Sequence, residues 1–168
     1  MWYVVQVRTG MEEEIRIQCE KVLSREAFER CFLPYYIGMK KYGGEWHEEK
    51  KLLFPGYVFV ISENAERLFL ELKKVLGLTK LLGGGQEIVA LHQEEIAFLR
   101  LFGEEKMIVE MSVGEIENGK IRVIEGPLKG LEHQIRKIDR HKRKAWIEVE
   151  LGGKRQETQV GLEIVRKS

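Results

Sequence analysis

Apolar positions recur along this chain in short runs whose period switches from element to element. Residues 2–8 (WYVVQVR) are aromatic and β-branched, which predicts a buried strand. Thr9 and Glu12 stand three apart, the spacing of a capping box. The helix that follows carries Ile15, Cys19, Val22 and Leu23 on one face. Cys31-Phe32-Leu33 returns to extended chain before Pro34, because proline disfavours helix in the preceding residue. Residues 35–42 and 45–53 flank Gly43-Gly44 and predict a hairpin. Residues 54–61 (FPGYVFVI) predict a further strand. Asn64 or Ser62 can cap the next helix, with Leu68, Leu72, Val75 and Leu76 on one face and Gly77 as its stop. A short strand at 78–82 and a flexible turn at 83–85 follow. Ile96, Leu99 and Phe102 predict a third helix that ends at Gly103, with Leu91 just ahead of it. The order β-α-β-hairpin-β-α-β-α fits an α+β sheet of split βαβ type, covered by helices on one side.

Beyond residue 104 the rhythm changes. Short strands are expected at 121–124, 134–138, 145–151, 156–160 and 164–166, punctuated by Gly126-Pro127, Asp139, Gly152-Gly153 and Gly161. Close strands with glycine turns predict a small β-barrel. The β-branched Val123, Ile124, Ile135, Ile138, Ile147, Val149 and Val160 favour strands there over a helical hairpin. Residues 104–118 connect the two parts, with Ser112, Gly114, Asn118 and Gly119 as breakers. The expected division is a first domain at 1–108, a linker at 109–118 and a barrel at 119–168.

Charge sharpens the division. The chain has 168 residues with 28 Lys/Arg and 27 Asp/Glu, a formal net charge of +1 that favours no class of partner by itself. Residues 136–144 (RKIDRHKRK) hold six basic residues against one acid, the one concentrated charge in the sequence. No apolar run reaches the roughly 18 residues of a membrane span. The N-terminal apolar run is too short and too β-branched for a signal peptide. A cytoplasmic location with both cysteines reduced is the expectation.

Catalytic motifs are missing. Gly83-Gly84-Gly85 is followed by Gln86 and Glu87, so it cannot serve as a phosphate-binding Walker loop. His47 stands among Glu45, Glu48 and Glu49, but a strand sends neighbours to opposite faces, and a surface hairpin is the simpler reading. Cys19 lies on an apolar helix face and Cys31 has no histidine nearby in sequence. No enzyme, metal or cofactor is expected.

Two features remain. In the strand at 57–61, Tyr57, Phe59 and Ile61 point to one face, and Val58 and Val60 to the other. With helices on one side of the sheet only, the second apolar face admits two readings: a core surface covered by another part of the chain, or an aromatic docking surface extended by Phe54. The basic run falls between two strands. It is either a solvated turn or a phosphate-binding surface.

Trp2-Tyr3-Val4-Val5-Gln6 and Phe54-Pro55-Gly56-Tyr57-Val58-Phe59-Val60 resemble the N-terminal (NGN) domain of NusG-family transcription factors. Val123-Ile124-Glu125-Gly126-Pro127-Leu128-Lys129-Gly130 resembles the KOW motif of their SH3-like C-terminal barrel, with His133 where that motif usually has glycine. The resemblance implies a factor that rides elongating RNA polymerase, docked on the β′ clamp helices through Phe54, Tyr57 and Phe59 and bridging to the β gate loop. It also implies a barrel that recruits RNA, a ribosomal protein or a termination factor. The basic stretch 130–143 is similar to that of the LoaP group, specialised antiterminators of long bacterial operons. Contacts to a nascent leader RNA then fall to Lys129, Arg136, Lys137, Arg140, His141, Lys142, Arg143 and Lys144.

Overall fold

β1 (Trp2–Gln6) lies at the centre of a four-stranded antiparallel sheet in the computed structural model, which describes residues 1–75, 88–103 and 106–168. The sheet order is β2-β5-β1-β6, with β2 at Arg30–Phe32, β5 at Tyr57–Ile61 and β6 at Ile88–Ala90. Leu76, Gly77, the strand expected at 78–82, the glycine turn at 83–85 and Glu104 lie outside the described residues.

The chain divides into two compact units, and no single cut in the sequence separates them. One comprises Met1–Leu33, Phe54–Ile96 and Leu151–Gly153; the other comprises Pro34–Leu53, Ala97–Glu150 and Lys154–Ser168.

In the first unit, strand register sorts the side chains. Trp2 pairs with Ile61, Val4 with Phe59, and Phe32 with Phe59, so these residues share one face. Tyr3, Val5, Cys31, Val58 and Val60 share the other. Helix α1 (Glu12–Val22) packs on β2 and β5 and buries Ile15 and Cys19. Helix α2 (Ala65–Leu72) buries Leu68 and Leu72, and its Phe69 meets the Tyr3 ring edge-on at 5.8 Å. Asn64 caps α2 as expected: its Oδ1 accepts the Arg67 N–H at 3.2 Å.

Two local expectations fail for instructive reasons. Val22 is exposed, because α1 ends there and the extended Leu23 turns inward in its place. The capping box is replaced by a longer-range device. The buried Glu12 carboxylate accepts the Gly10 N–H and the Gly56 N–H, each at 2.7 Å, and so ties the helix start to the turn before β5.

The second unit holds the hairpin β3 (Tyr35–Tyr42) and β4 (Glu45–Leu52), joined across Gly43-Gly44, with β7 (Ile108–Val109) parallel to β3. Helix α3 (Gln93–Gly103) buries Leu99 and Phe102, and the division between the units runs through it after Ile96. The β module expected from the C-terminal rhythm is a five-stranded sheet of order β10-β11-β12-β8-β9. Its strands are β8 (Ser112–Glu117), β9 (Lys120–Glu125), β10 (Ile135–Asp139), β11 (Lys144–Leu151) and β12 (Lys154–Lys167). Val123, Leu128, Ala145, Ile147, Val149, Val160 and Leu162 form its core.

Residues 112–117, expected in a linker, are therefore a strand. Ser112 is a fixed point and not a breaker: its Oγ accepts the Leu128 N–H at 3.0 Å. Gly126 has φ +103°, and a Cβ there would stand 2.6 Å from the Ser112 Cα, so this position of the KOW motif requires glycine. Gly161, expected as a break, lies inside the continuous β12. A Cβ on it would come within 2.5 Å of the Ile37 carbonyl oxygen, so its bare backbone is what lets β12 and β3 approach. The Thr158 hydroxyl donates to the Leu53 carbonyl and fixes the end of the hairpin against β12.

Candidate nucleic-acid interface

The aromatic strand closes on itself. The Phe59 ring sits 5.5 Å from Phe32 and 5.6 Å from Phe54, and Phe32 meets Trp2 at 5.3 Å. Phe59 is fully buried and Phe54 is 4% exposed. The expectation that these two rings stand open on the surface is corrected: cross-strand aromatic packing gains more than exposure. Tyr57 is half-buried, and of the three aromatic residues it alone reaches solvent.

The thiols are inert. Cys19 and Cys31 are both buried and unbridged, and hydrogen bonding with Cys19 together with burial pushes the Cys31 thiol up, away from thiolate. The His47 ring stacks on Tyr42 at 3.7 Å, and no cluster of metal-ligating side chains occurs among the described residues.

The basic run behaves differently. Arg140, His141 and Lys142 are exposed on the turn between β10 and β11. Asp139 Oδ1 accepts the Lys142 N–H at 3.0 Å and shapes that turn. This bond is the main reason the Asp139 carboxyl is held below its usual range. Arg136 is exposed but committed: its Nε meets Glu148 at 2.8 Å, and Glu148 also holds Arg155 at 3.3 Å. Lys137 and Lys144 lie over the Trp146 ring at 4.8 and 5.1 Å. Lys129 is exposed on a different groove, beside Gly126, Pro127 and Leu131. The eight residues expected to contact RNA are therefore not one surface.

Arg143 joins the turn to the hairpin. Its guanidinium lies 4.1 Å from the centre of the Trp46 ring. Between the two elements is a cavity of about 600 Å³, lined by Lys40, Lys41, Lys51 and Trp46 of the hairpin and by His141, Lys142 and Lys144 of the turn. Lys144 is held below the usual lysine range, first by burial and then by the charges of Lys142 and Lys51. The two elements thus share one positive field.

The family model described as transcription termination factor nusG matches residues 1–100. The chain belongs to the NusG family. Among curated NusG-family relatives, the transcription termination/antitermination protein NusG of Rickettsia bellii is 26% identical, aligned over 99% of this chain and 90% of its own length. The protein of the same name from Halalkalibacterium halodurans is 28% identical over 98% of this chain and 96% of its own length. A solved structure of Thermotoga maritima NusG has the same fold, with TM-score 0.52 and 24% identity, covering 97% of this chain and 93% of that one. The chain is thus a NusG-like transcription termination/antitermination factor with a mixed α+β fold.

In this NusG-family chain the hairpin half of the cavity escapes a charge scan. Lys40, Lys41, Lys50 and Lys51 alternate with Glu45, Glu48 and Glu49, so the segment is nearly neutral as a run. The available signal is the pairing of two lysine doublets around a tryptophan, with Lys41 opposite Trp46 and Lys51 opposite Tyr36.

Proposed function

We propose that this chain is a processive antitermination factor of the LoaP type, which rides RNA polymerase and responds to a nascent leader RNA through its KOW turn. The observation that carries the reading is the exposed cationic turn Arg140-His141-Lys142, shaped by Asp139, in a family of termination and antitermination factors. Docking on the β′ clamp helices falls to Tyr57, with Phe54 and Phe59 as the packed bed that holds it; the β gate loop is the second polymerase contact. Lys129, on its own groove, is a separate phosphate contact. No cofactor is required. No helix among the described residues is long and apolar enough to cross a membrane.

Transcription in vitro through an intrinsic terminator tests this, with and without the leader of the candidate operon. The parent raises readthrough on the leader-bearing template only, and Arg140→Ala with Lys142→Ala abolishes the gain. A second reading is a general NusG factor that modulates pausing and couples polymerase to the ribosome. It is favoured by the whole-length alignment to proteins named simply NusG. Equal readthrough on both templates, with no dependence on Arg140 and Lys142, selects it.

A further inference from the structure

The cavity between hairpin and turn concentrates more positive charge than its surroundings neutralise. Lys40, Lys41 and Lys51 line it from the hairpin, and Lys142 and Lys144 line it from the turn. Glu49 is the one carboxylate among the lining residues, and Lys51 already holds it at 3.5 Å. Five ammonium groups around one carboxylate that is already paired create a field that favours an anionic ligand.

Rings share the rest of the lining with Gly38 and Met39. Trp46 lines the cavity, backed by the Arg143 guanidinium at 4.1 Å, and His141 is exposed at the rim. The Tyr36 ring packs over that glycine, 3.2 Å from where a Cβ of residue Gly38 would stand. The cavity follows β3 from Tyr36 to Lys41, roughly 17 Å of strand. That length takes about five nucleotides at roughly 3.4 Å per base. Phosphate-neutralising cations beside rings that can stack are the recurring chemistry of single-strand binding. A duplex has no unstacked bases to offer those rings.

We propose that this cavity binds an unpaired nucleic-acid strand, with Lys40, Lys51, Lys142 and Lys144 on its phosphates and Trp46 and His141 against its bases. The site rests on the nucleic-acid reading of the turn and extends it. The hairpin supplies half of the contacts, and the ligand is a splayed single strand.

The test is fluorescence anisotropy on the full chain with labelled decauridylate, decathymidylate and an RNA duplex of the same length, across a series of salt concentrations. The parent binds the single strands at least tenfold more tightly than the duplex. The ratio of decauridylate to decathymidylate affinity tells whether RNA or DNA is the strand selected. Lys40→Ala with Lys51→Ala weakens single-strand binding about tenfold and flattens the log–log salt slope by about 1.4, two phosphates at roughly 0.7 each. Trp46→Ala weakens it by a similar factor and removes tryptophan quenching by the bound strand. The exposed lysine pair keeps the test decisive if the tryptophan variant does not fold. Lys129→Ala with Arg140→Ala, outside the cavity, reads the contribution of the turn and its neighbouring groove alone. If that pair weakens binding while the hairpin variants bind as the parent does, the cavity is not the site and the reading of the turn survives. Preference for the duplex also overturns the proposal. No binding of any oligonucleotide by the parent at low salt overturns both.

Discussion

The aromatic strand Tyr57–Ile61 and the cationic turn at 140–143 are ordered by opposite means. The strand is ordered by burial: Phe59 packs between Phe32 and Phe54 and leaves only Tyr57 and Ile61 half-open. The turn is ordered from outside the core, by the Asp139–Lys142 bond and the Arg143–Trp46 stack. An apolar ring gains roughly 25 cal/mol per Å² wherever a partner lets it leave water. A cluster of ammonium and guanidinium groups has no such route inward. Aromatic residues in a run thus speak first of core and only at their margins of docking, whereas clustered cations speak of surface throughout.

The largest effect should come from Phe59→Ala. Emptying a fully buried phenylalanine site costs about 3–5 kcal/mol, read as a lowered urea midpoint. Tyr57→Ala should leave that midpoint within about 1 kcal/mol while weakening polymerase binding. If the two variants unfold alike, the strand has no outward half and the contrast collapses. Glu12→Ala comes next. It strips the buried N–H of Gly56 and the part-buried N–H of Gly10 of their acceptor, for about 1–3 kcal/mol in the same assay.

The acid limb of stability should belong to the first unit. Glu71 accepts the Ser24 N–H at 2.7 Å, the Ser24 hydroxyl at 2.8 Å and the Arg67 Nε–H at 2.7 Å. These bonds, the backbone one foremost, lower its pKa to about 2. In the unfolded chain it returns to roughly 4.3. Its contribution is therefore complete above that value and is lost as the pH falls toward 2. Urea midpoints measured across this window should fall less steeply in Glu71→Gln than in the parent. The smallest effect on stability is expected at the turn. Arg140→Ala with Lys142→Ala should shift the midpoint by no more than about 0.5 kcal/mol per residue. The same pair should flatten the salt dependence of RNA binding by about 1.4. A large loss of stability there would make the turn structural.

Features set by neighbours in sequence were legible, and those set by distant chain were not. β1, the Gly43-Gly44 hairpin, the Asn64 cap and α3 each carry their own signal within a few residues. Ser112 and Gly126 read as punctuation because their mutual packing joins strands 14 residues apart. Gly161 reads as a turn because the carbonyl it accommodates belongs to Ile37. The candidate site divides in the same way. The run at 136–144 declares itself by charge, but its sorting into paired Arg136, ring-bound Lys137 and cavity-lining Lys142 depends on Glu148, Trp146 and the hairpin.

The hydrogen bond between Thr158 and Leu53 spans 105 residues of chain. At synthesis rates of roughly 5–20 residues per second, the hairpin waits on the order of ten seconds for the strand it packs against. An unpaired hairpin edge is a hazard during such an interval, and Lys40, Lys41, Lys50 and Lys51 are the kind of residue that discourages pairing with other nascent chains. Lys40, Lys41 and Lys51 therefore protect the chain while it is being made and line the cavity once it is complete. Because the turn at 141–144 forms the other wall of that cavity, a chain that has not yet reached the turn presents the hairpin without its partner wall.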